Sequence, residues 1–511
     1  MYSKINAIGL YGLNAFGIEV EADISRGLPS VDIVGFPDHV VRESRERIKA
    51  AAKACEINLP VAKITINLAP ADTKKSGTSN DLPILMSILC AIGLVKNDLS
   101  DCAFVGELAL NGDVRPINGV LPMVLLAAKY GIKKIFVPFD NAYEASVADN
   151  IEIYGIKNLS QLLAHLNGSN ILEPAQKYTA KSDAYEYPLD FKDVKGQANA
   201  KKALEIAAAG GHNALLIGAP GSGKSMLAKR MPSILPKMTF EESIETTMVY
   251  SISGMLDNDT PLITRRPFRA PHHTVSSAGL AGGGSIPHPG EISLAHNGLL
   301  FLDELAEFDR RTLEILRQPL EDGIVTISRS SGTVSYPSNI MLIAAMNPCP
   351  CGYFGNLKRR CTCTERSVKN YLAKISGPLL DRFDLHVDVA PVEYENLTSK
   401  NNEESSDSIR RRVEKAREIQ YRRYKGTSIV SNSNITSDII SEVCTMSDDA
   451  EKFLKAIFEK LCLSARAYDR ILKVSRTIAD LNGIETIEKA HLAQAVSYRS
   501  LDKKYWGNQK D

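Results

Sequence analysis

The sequence predicts an α/β protein whose middle part folds as a parallel sheet covered by helices. Two observations favour this class: apolar runs alternate with helical segments between residues 189 and 394, and one of these runs leads directly into a glycine-rich turn. A third observation is that the residues up to 166 mix strands and helices, whereas those after 409 have helical spacing almost throughout. We therefore expect an α+β N-terminal domain, an α/β core and a C-terminal helical domain.

The N-terminal domain is expected to span residues 1–166. Alternating or continuous apolar residues indicate its strands, and apolar residues at helical spacing indicate its helices. The predicted strands are 31–34, 63–68 and 135–138, and the predicted helices are 40–54, 82–94 and 121–130. Residues 167–188 are polar, contain two prolines and lack a strong period, which is typical of a linker.

The core is expected to span residues 189–394 and the helical domain residues 395–511. Short apolar runs predict buried parallel strands, and longer periodic segments predict the helices between them. The predicted strands are 214–217, 299–302 and 340–344, and the predicted helices are 198–210, 310–321 and one that begins at Lys224. The helical domain opens with a polar tract at 395–408 that is typical of a second linker.

The charge balance excludes one class of nucleic-acid-binding protein. The chain has 61 Lys and Arg against 60 Asp and Glu, a net charge of +1, so it does not bind nucleic acid through overall basicity, although a local basic surface remains open.

The longest apolar run, residues 84–95, is shorter than the ~20 residues that span a bilayer. Residues 1–23 lack the basic-then-apolar order of a signal peptide. We expect a cytoplasmic protein that does not act at membranes.

Residues 218–225 have the pattern of a phosphate-binding loop. They fit G-x-x-x-x-G-K-[ST] without a mismatch, follow an apolar strand and open a helix, which is the context that this motif requires. The glycines allow backbone N–H groups to surround phosphates, Lys224 would neutralise the β- and γ-phosphates, and Ser225 would hold Mg²⁺. The residues expected to bind ATP are Gly218, Ala219, Pro220, Gly221, Ser222, Gly223, Lys224 and Ser225.

Polar side chains follow two later strands of the core. Asp303 and Glu304 come directly after strand 299–302; Asp303 suits a Mg²⁺ ligand and Glu304 a base that orients the attacking water. The alternative is a helix cap, which the upstream phosphate loop disfavours. Asn347 follows the next predicted strand and is expected to hold the attacking water. Arg382 is a candidate for stabilising the transferred phosphoryl group, with a surface ion pair as the alternative.

Together these residues resemble an AAA+ ATPase, and the chain is most similar to the magnesium-chelatase-like family that includes ComM and YifB. The resemblance covers almost the whole chain and implies an AAA+ P-loop α/β core, a C-terminal helical lid and a Lon-protease-like α+β N-terminal domain. Its most specific stretches are PSVDIVGFP at 29–37, APHHTV at 270–275, GEISLAHNGLLFLDE at 290–304, NPCPCG at 347–352 and SGPLLDRFD at 376–384.

The resemblance also implies a role for each site residue. By position, Lys224 and Ser225 form the Walker A pair, and Asp303 and Glu304 the Walker B pair. Further roles that it implies are sensor 1 for Asn347, arginine finger for Arg382, sensor 2 for Arg466 (or Arg470, one helical turn on), and the adenine-flanking segment for residues 194–197.

The function that the resemblance implies is an ATP-hydrolysing ring motor, a homo-hexamer with Mg·ATP at its subunit boundaries. Its substrate would be single-stranded or branched DNA, and its task branch migration that supports integration of DNA in natural transformation or recombination. Closure of the C-terminal helices through Arg466 would then shift a hairpin in the pore. The alternative is a chelatase-type subunit that remodels a protein partner without contacting DNA.

The pore hairpin of this clade matches residues 323–339, where two β-like runs flank a Ser-Ser-Gly turn. Arg329 at its tip is a candidate DNA contact, and a plain surface hairpin is the alternative. The glycine-rich segment 281–289 is flexible enough to form a second pore insertion. His272 and His273 are interpreted as a structural pair rather than as metal ligands.

The N-terminal domain resembles the catalytic domain of Lon proteases, and Ser79 falls near the position of the nucleophile there. A Ser–Lys dyad needs a lysine, because a serine hydroxyl is inert without a nearby base. The matching helix, 118–128, contains none, so we expect no peptidase activity.

Four cysteines are crowded into one short segment, with the spacing C-x-C, nine residues, C-x-C. Four thiolates can close a tetrahedral Zn²⁺ site, although this spacing departs from the usual C-x₂-C. The alternatives are four reduced loop thiols, or disulfides under oxidation. The candidate ligands are Cys349, Cys351, Cys361 and Cys363, and the basic residues between them are Lys358, Arg359 and Arg360. These basic residues are candidate DNA phosphate contacts or a solvated charged face.

Overall fold

The computed structural model describes residues 1–179, 187–257, 259–284, 287–329, 332–356, 359–392, 403–461 and 463–506. The expected α/β class is confirmed: an α+β unit is followed by a unit with an all-parallel central sheet and then by helices.

The first unit begins with a long antiparallel hairpin. The strands are β1 (Tyr2–Tyr11), β2 (Asn14–Ser25), β3 (Ser30–Val34), β4 (Lys63–Ala69), β5 (Cys102–Phe104), β6 (Glu107–Leu108), β7 (Val114–Arg115), β8 (Lys134–Pro138) and β9 (Glu152–Ile156). The helices are α1 (His39–Ala54), α2 (Asp81–Ala91), α3 (Val120–Lys129), α4 (Ala142–Ala145) and α5 (Leu159–Leu166).

Seven of these strands form one mixed sheet in the order β3-β4-β2-β1-β5-β8-β9. Successive residues of a strand point to opposite faces, so Phe136 of β8 joins one core and its neighbours Ile135 and Val137 the other. Helices α1, α2 and α5 cover the first face, and α3 and α4 cover the second. The unit therefore has two hydrophobic cores, one on each side of its sheet.

The second unit contains the phosphate loop. Its strands are β10 (Ala214–Ile217), β11 (Phe268–Arg269), β12 (Gly282–Gly283), β13 (His288–Pro289), β14 (Leu299–Leu302), β15 (Ile324–Arg329), β16 (Gly332–Pro337), β17 (Met341–Met346) and β18 (Leu385–Asp388). Its helices are α6 (Ala198–Gly210), α7 (Lys224–Arg230), α8 (Phe240–Ser253), α9 (Ser277–Ala281), α10 (Glu291–Leu294), α11 (Arg310–Glu314), α12 (Arg317–Asp322), α13 (Glu365–Leu372) and α14 (Gly377–Leu380).

Five of these strands form a parallel sheet in the order β11-β14-β17-β10-β18. All residues of β10, β14 and β17 are buried, which explains why the sequence shows them as continuous apolar runs rather than as alternating ones. Because parallel strands end at the same edge, the phosphate loop, Asp303 and Asn347 all follow carboxyl ends of neighbouring strands.

The remaining chain is helical: α15 (Ser406–Arg423), α16 (Ile440–Val443), α17 (Asp448–Leu461), α18 (Ala465–Leu481), α19 (Lys489–Ser497) and α20 (Ser500–Trp506). Helices α15 and α18 share one core with α6 and one face of the parallel sheet. Helix α20 returns to the other face and packs beside the cysteine segment. Among the described residues, no helix combines the length and the apolar character needed to cross a lipid bilayer.

Most predicted elements are confirmed within a few residues, including the hairpin, which is formed by β15 and β16. The predicted helix 310–321 is two helices, α11 and α12, because Pro319 has no N–H to bond the carbonyl of Ile315. The predicted linker at 395–408 is too long at its end, because helix α15 already begins at Ser406. Residues 393–402 lie outside the described part of the chain. The first hairpin, β1–β2, was not among the predicted strands.

Candidate nucleotide-binding site

The phosphate loop connects the buried strand β10 to helix α7 and needs glycine at three positions. Gly221 and Gly223 have φ angles of 76° and 93°, a region that other residues rarely adopt. Gly218 is pressed against the backbone of the residue that follows β18, because a Cβ there would clash with the carbonyl oxygen of Val389. The loop therefore presents its backbone, rather than side chains, to a bound phosphate.

Lys224 is a buried cation surrounded by uncharged oxygens. Its Nζ donates to the carbonyl oxygens of Gly218 at 2.8 Å and Ala219 at 3.0 Å, and to Oδ1 of Asn347 at 3.1 Å. Burial lowers the pKa of the amine, while the more distant Asp303 and Glu304 carboxylates act in the opposite direction. Because none of the three acceptors is charged, the site fits an anion such as a nucleotide phosphate.

Ser225 and Asp303 are brought together across strands β10 and β14. The Ser225 hydroxyl donates to Oδ2 of Asp303 at 2.5 Å, and the backbone N–H of Glu304 donates to Oδ1 at 3.0 Å. Two hard oxygen ligands at this separation fit a Mg²⁺ ion, which binds proteins through one or two such groups and otherwise through water and phosphate. The predicted magnesium ligands thus lie side by side.

The side chain of Glu304 contacts a histidine, which the sequence did not predict. Its backbone is left-handed, with φ of 52°, and its Oε2 lies 3.4 Å from Nδ1 of His273. The imidazole of His273 packs against His272, with ring centroids 4.1 Å apart. The sequence predicts only that His273 is half of a structural pair. The signal that could have indicated a role at the site is its position in APHHTV, one of the stretches that carry the family resemblance.

Asn347 and the segment 194–197 both border the phosphate loop. Asn347 follows β17 and contacts Lys224 as described above. Gln197 has φ of 60°, and its Nε2 donates to the carbonyl oxygens of Ser222 at 3.0 Å and Ala390 at 2.5 Å. These contacts hold the predicted adenine-flanking segment against the loop.

Arg382 lies at the end of the parallel sheet that is opposite the phosphate loop. Its carbonyl oxygen accepts a 3.0 Å hydrogen bond from Nδ2 of Asn213, which precedes β10, whereas the phosphate loop follows β10. The four residues of β10 separate these ends by about 13 Å. The guanidinium instead pairs with Glu321 at the end of α12. Arg382 is thus remote from the phosphate loop of its own chain.

Arg466 and its alternative, Arg470, lie at the same end as Arg382. Arg466 is 63% exposed, and its guanidinium is 3.8 Å from Oδ2 of Asp381. Arg470 is largely buried, and it donates to the carbonyl oxygen of Phe383 at 3.0 Å and lies 3.6 Å from Oδ1 of Asp384. Neither arginine borders the phosphate loop of its own chain.

These three arginines line a cavity of about 1000 Å³ at the amino ends of the parallel strands. The cavity is bounded by the core on one side and by α15 and α18 on the other, and Lys473 and Arg417 add further positive charge. Acidic residues line the cavity as well, among them Glu321, Asp384 and Asp469, so its charge is mixed.

The hairpin β15–β16 contacts both the segment 281–289 and the N-terminal unit. Arg329 is the last residue of β15 and is exposed, while Ser330 and Ser331 lie outside the described residues. Strands β12 and β13 pair within the predicted second insertion, of which residues 285 and 286 are also outside. The β1–β2 turn packs on the same hairpin, since a Cβ at Gly12 would clash with Val334.

The four clustered cysteines come together in space. The segment from Cys349 to Cys363 is called the cysteine knuckle below. Its Sγ atoms lie within 4.8 Å of one another, with 3.4 Å between Cys349 and Cys351 and 3.5 Å between Cys351 and Cys361. Burial raises the pKa of the Cys351 thiol, but backbone N–H groups and the neighbouring thiols outweigh it and lower the pKa to about 5. A thiolate is the form that binds metal.

The basic residues of the knuckle have unequal surroundings. Arg359 lies over the ring of Tyr353, 4.1 Å from its centroid, and donates to its hydroxyl at 2.8 Å. Arg360 is exposed, and the predicted contact Lys358 lies outside the described residues.

Ser79 in the N-terminal unit lies next to groups that do not activate it. The amine of Lys75 is buried and donates to the carbonyl oxygen of Pro70, and the Thr78 hydroxyl donates to Glu107. Lys129, the last residue of α3, is exposed. Within the described residues, no lysine amine is hydrogen-bonded to the Ser79 hydroxyl.

Three segments of the chain match described protein families. Residues 20–141 match subunit ChlI of Mg-chelatase, residues 190–397 match magnesium chelatase, subunit ChlI, and residues 403–499 match the C-terminal part of that subunit.

Relatives are similar over nearly the whole length. YifB of Escherichia coli (strain K12) is 42% identical over 505 residues, which cover 98% of this chain and 97% of that protein. Competence protein ComM of Haemophilus influenzae is 42% identical over 497 residues, 96% of each chain. Lon protease 2 of Bacillus subtilis (strain 168) is 28% identical over 176 residues, about a third of each chain.

Proposed function

Because the chain belongs to the magnesium-chelatase-like AAA+ ATPases of the ComM/YifB family, we propose that it is a ring motor that couples ATP hydrolysis to movement on DNA. Membership of this family implies ATP hydrolysis with Mg²⁺. The finer proposal is a homo-hexamer in the cytoplasm that drives branch migration of single-stranded or branched DNA, as part of DNA integration in natural transformation or recombination.

Hydrolysis at this site would use the residues at the carboxyl ends of the strands. The loop backbone and Lys224 would hold the β- and γ-phosphates, and Ser225 and Asp303 would hold Mg²⁺, whose charge would offset the negative charge of the phosphate oxygens. Asn347 orients the attacking water, and Glu304 accepts its proton. In this role Glu304 would give up the 3.4 Å contact between its Oε2 and Nδ1 of His273.

The observation that carries the proposal is the separation of Arg382 from its own phosphate loop. An arginine that stabilises the transferred phosphoryl group must reach it directly. Arg382 lies beyond the end of β10 that is opposite the phosphate loop, so in this proposal it contacts the ATP of a neighbouring subunit. Arg466 lies at the same end and would contact the same ATP. The site is then completed only at a subunit boundary, as a closed ring requires.

The proposed DNA contacts are local. Arg329 on the hairpin and Arg359 and Arg360 on the knuckle are exposed cations. The knuckle adjoins the phosphate loop, whereas the hairpin leads into the amino end of β17, at the other end of the sheet. A net charge of +1 leaves little general attraction for DNA, so the contacts must come from such elements repeated around a pore. A relative named as a competence protein supports DNA rather than protein as the substrate.

ATP hydrolysis by the purified protein, measured with and without single-stranded and four-way-junction DNA, tests this proposal. We expect stimulation by DNA and movement of the junction, with neither in Lys224→Ala. The double variant Arg359→Ala/Arg360→Ala is expected to bind DNA several-fold more weakly, because each lost phosphate contact removes a salt-dependent contribution. If the protein neither binds DNA at low salt nor hydrolyses ATP faster when DNA is added, the motor proposal is wrong. The remaining candidate would then be a chelatase-type subunit that remodels a protein partner.

The second part of the proposal concerns the cysteine knuckle, which we propose holds a structural Zn²⁺ ion. Tetrahedral coordination with Zn–S bonds of about 2.3 Å places the sulfurs roughly 3.8 Å apart. The observed Sγ separations of 3.4, 3.5 and 3.7 Å among Cys349, Cys351 and Cys361 are close to this value, and Cys363 supplies the fourth thiol.

A further inference from the structure

The cysteine knuckle touches the phosphate loop at one defined point. The backbone of Gly352 lies directly against the ring of Pro220: a Cβ at position 352 would clash with Cδ of that proline and lie 2.6 Å from its Cγ. Gly352 also has φ of 83°, so this position requires glycine for two separate reasons. The proline ring cannot rotate about φ, and a displacement of the knuckle is therefore transmitted to the loop backbone.

The knuckle is also linked to the nucleotide site through the chain itself. Cys349 follows Asn347 by two residues, and the side chain of Asn347 accepts from Lys224. A tight turn follows, in which the N–H of Gly352 donates to the carbonyl oxygen of Cys349 at 2.9 Å. One end of this turn therefore positions Asn347 and the other contacts Pro220.

The thiols determine the shape of this turn. Cys349 is fully buried, its Sγ accepts from the N–H of Phe354 at 3.3 Å, and it lies 3.7 Å from Sγ of Cys361 on the other arm of the knuckle. The N–H of Cys351 donates to Sγ of Cys363 at 3.4 Å. These contacts hold the two arms of the knuckle together, and a metal ion bound by the four sulfurs would fix the turn in this geometry.

Helix α20 supports the knuckle on the side away from the loop. The ring of Tyr505 packs on Phe354 with centroids 6.3 Å apart, and Nε1 of Trp506 donates to the carbonyl oxygen of Leu372 at 3.3 Å. Lys504 pairs with Asp388 at the carboxyl end of β18, at 3.1 Å. The knuckle is therefore held between this helix and the phosphate loop.

We infer that the metal-bound knuckle positions the phosphate loop, so that metal and ATP bind cooperatively to one chain. The inference rests on the proposed Zn²⁺ site and on the proposed ATP site, but not on DNA as the substrate. Coupling of two binding sites is reciprocal, so the factor by which metal raises ATP affinity must equal the factor by which ATP raises metal affinity.

A matched pair of glycine variants tests the contact. Gly352→Ala introduces a methyl group into Pro220, whereas Gly355→Ala has the same backbone penalty, with φ of 75°, and meets only the end of the Lys504 side chain at 3.4 Å, an ordinary van der Waals distance. We expect Gly352→Ala to weaken binding of a fluorescent ATP analogue about tenfold, and Gly355→Ala to remain within about twofold of the unaltered chain. Equal affinities of the two variants would overturn the inference.

The second measurement uses the unaltered chain and therefore does not depend on the folding of a variant. The Kd for the ATP analogue is measured in zinc-loaded and zinc-stripped protein, and the Kd for zinc is measured with a competing chromogenic chelator, with and without the analogue. We expect zinc to tighten analogue binding about tenfold and the analogue to tighten zinc binding by the same factor.

Identical Kd values for the analogue in the two zinc states would overturn the coupling even if both sites exist. A chain that binds the analogue but no zinc would overturn the metal site and the inference together. Failure of the motor proposal would be seen separately, as hydrolysis without response to DNA, and would leave both titrations unchanged.

Discussion

Arg466 and Arg470 lie one turn apart on helix α18 and have opposite surroundings. Arg466 is mostly exposed, whereas Arg470 is buried beside Asp384, which also binds Nδ1 of His212 at 3.1 Å. Burial raises the pKa of Asp384, but the hydrogen bond from His212 and the charge of Arg470 outweigh it and lower the pKa to about 2. Arg470 thus supports the junction of α18 with the parallel sheet, while Arg466 lies at the surface with Asp381 as its ion-pair partner at 3.8 Å.

Alanine substitution separates these two roles. Arg470→Ala is expected to lower the free energy of unfolding by about 3 kcal/mol, because it leaves the buried Asp384 carboxylate with one cation fewer. Arg466→Ala is expected to change stability by less than about 0.5 kcal/mol but to reduce ATP hydrolysis at least tenfold. Thermal unfolding and steady-state hydrolysis measure the two effects, and the reverse pattern would make Arg470 the sensor.

At the residue scale, the sequence predicted the nucleotide side of the site better than the arginine side. Lys224, Asp303 and Asn347 follow neighbouring parallel strands, so strand order alone brings them together. The place of Arg466 depends on how α18 packs against the sheet, and the pairing of Glu304 with His273 depends on a left-handed backbone at Glu304. Neither leaves a periodic signal in the sequence.

At the scale of elements, the hairpin β15–β16 and helix α15 provide a matched comparison for DNA binding. Arg329 ends β15 on the hairpin, whereas Arg411 on α15 is equally exposed but pairs with Asp407 at 2.7 Å. Arg329→Ala is expected to weaken DNA binding several-fold and to make it less dependent on salt, and Arg411→Ala is expected to do neither. Fluorescence anisotropy at several salt concentrations measures both, and equal effects would remove the hairpin from the DNA contact.

The elements that escaped prediction did so for identifiable reasons. Strands β1 and β2 pair over ten residues each. Residues 18–24 of β2 alternate apolar and acidic side chains, so a strand signal was available there, whereas Gly9 weakens the pattern in β1. The break between α11 and α12 follows from one proline inside an otherwise helical pattern. By contrast, β10, β14 and β17 were predicted correctly because strands buried on both faces are apolar throughout.

At the scale of the whole molecule, the proposed ring requires each chain to carry two halves of different sites. The phosphate loop and Arg382 lie at opposite ends of one sheet, so Lys224→Ala and Arg382→Ala damage different halves. Each variant alone is expected to be inactive. An equimolar mixture is expected to regain roughly a quarter of the activity, because that fraction of boundaries in a randomly assembled ring combines two intact halves.

Steady-state hydrolysis after mixing and reassembly measures this recovery. Each variant is also taken through the same reassembly on its own, which measures any activity that remains because its inactivation is incomplete. A mixture as inactive as its components would place Arg382 at the nucleotide of its own chain and would remove the main support for a ring.

The contact between the hairpins β1–β2 and β15–β16 has a consequence for shortened forms of the protein. The β1–β2 turn covers Val334, and Tyr11 lies against the backbone of Gly332. The same two strands occupy the centre of the seven-stranded sheet. Removing the N-terminal unit would thus expose the apolar side chain of Val334. Aggregation or lost ATP hydrolysis in such a shortened chain would therefore not show that the N-terminal unit takes part in catalysis.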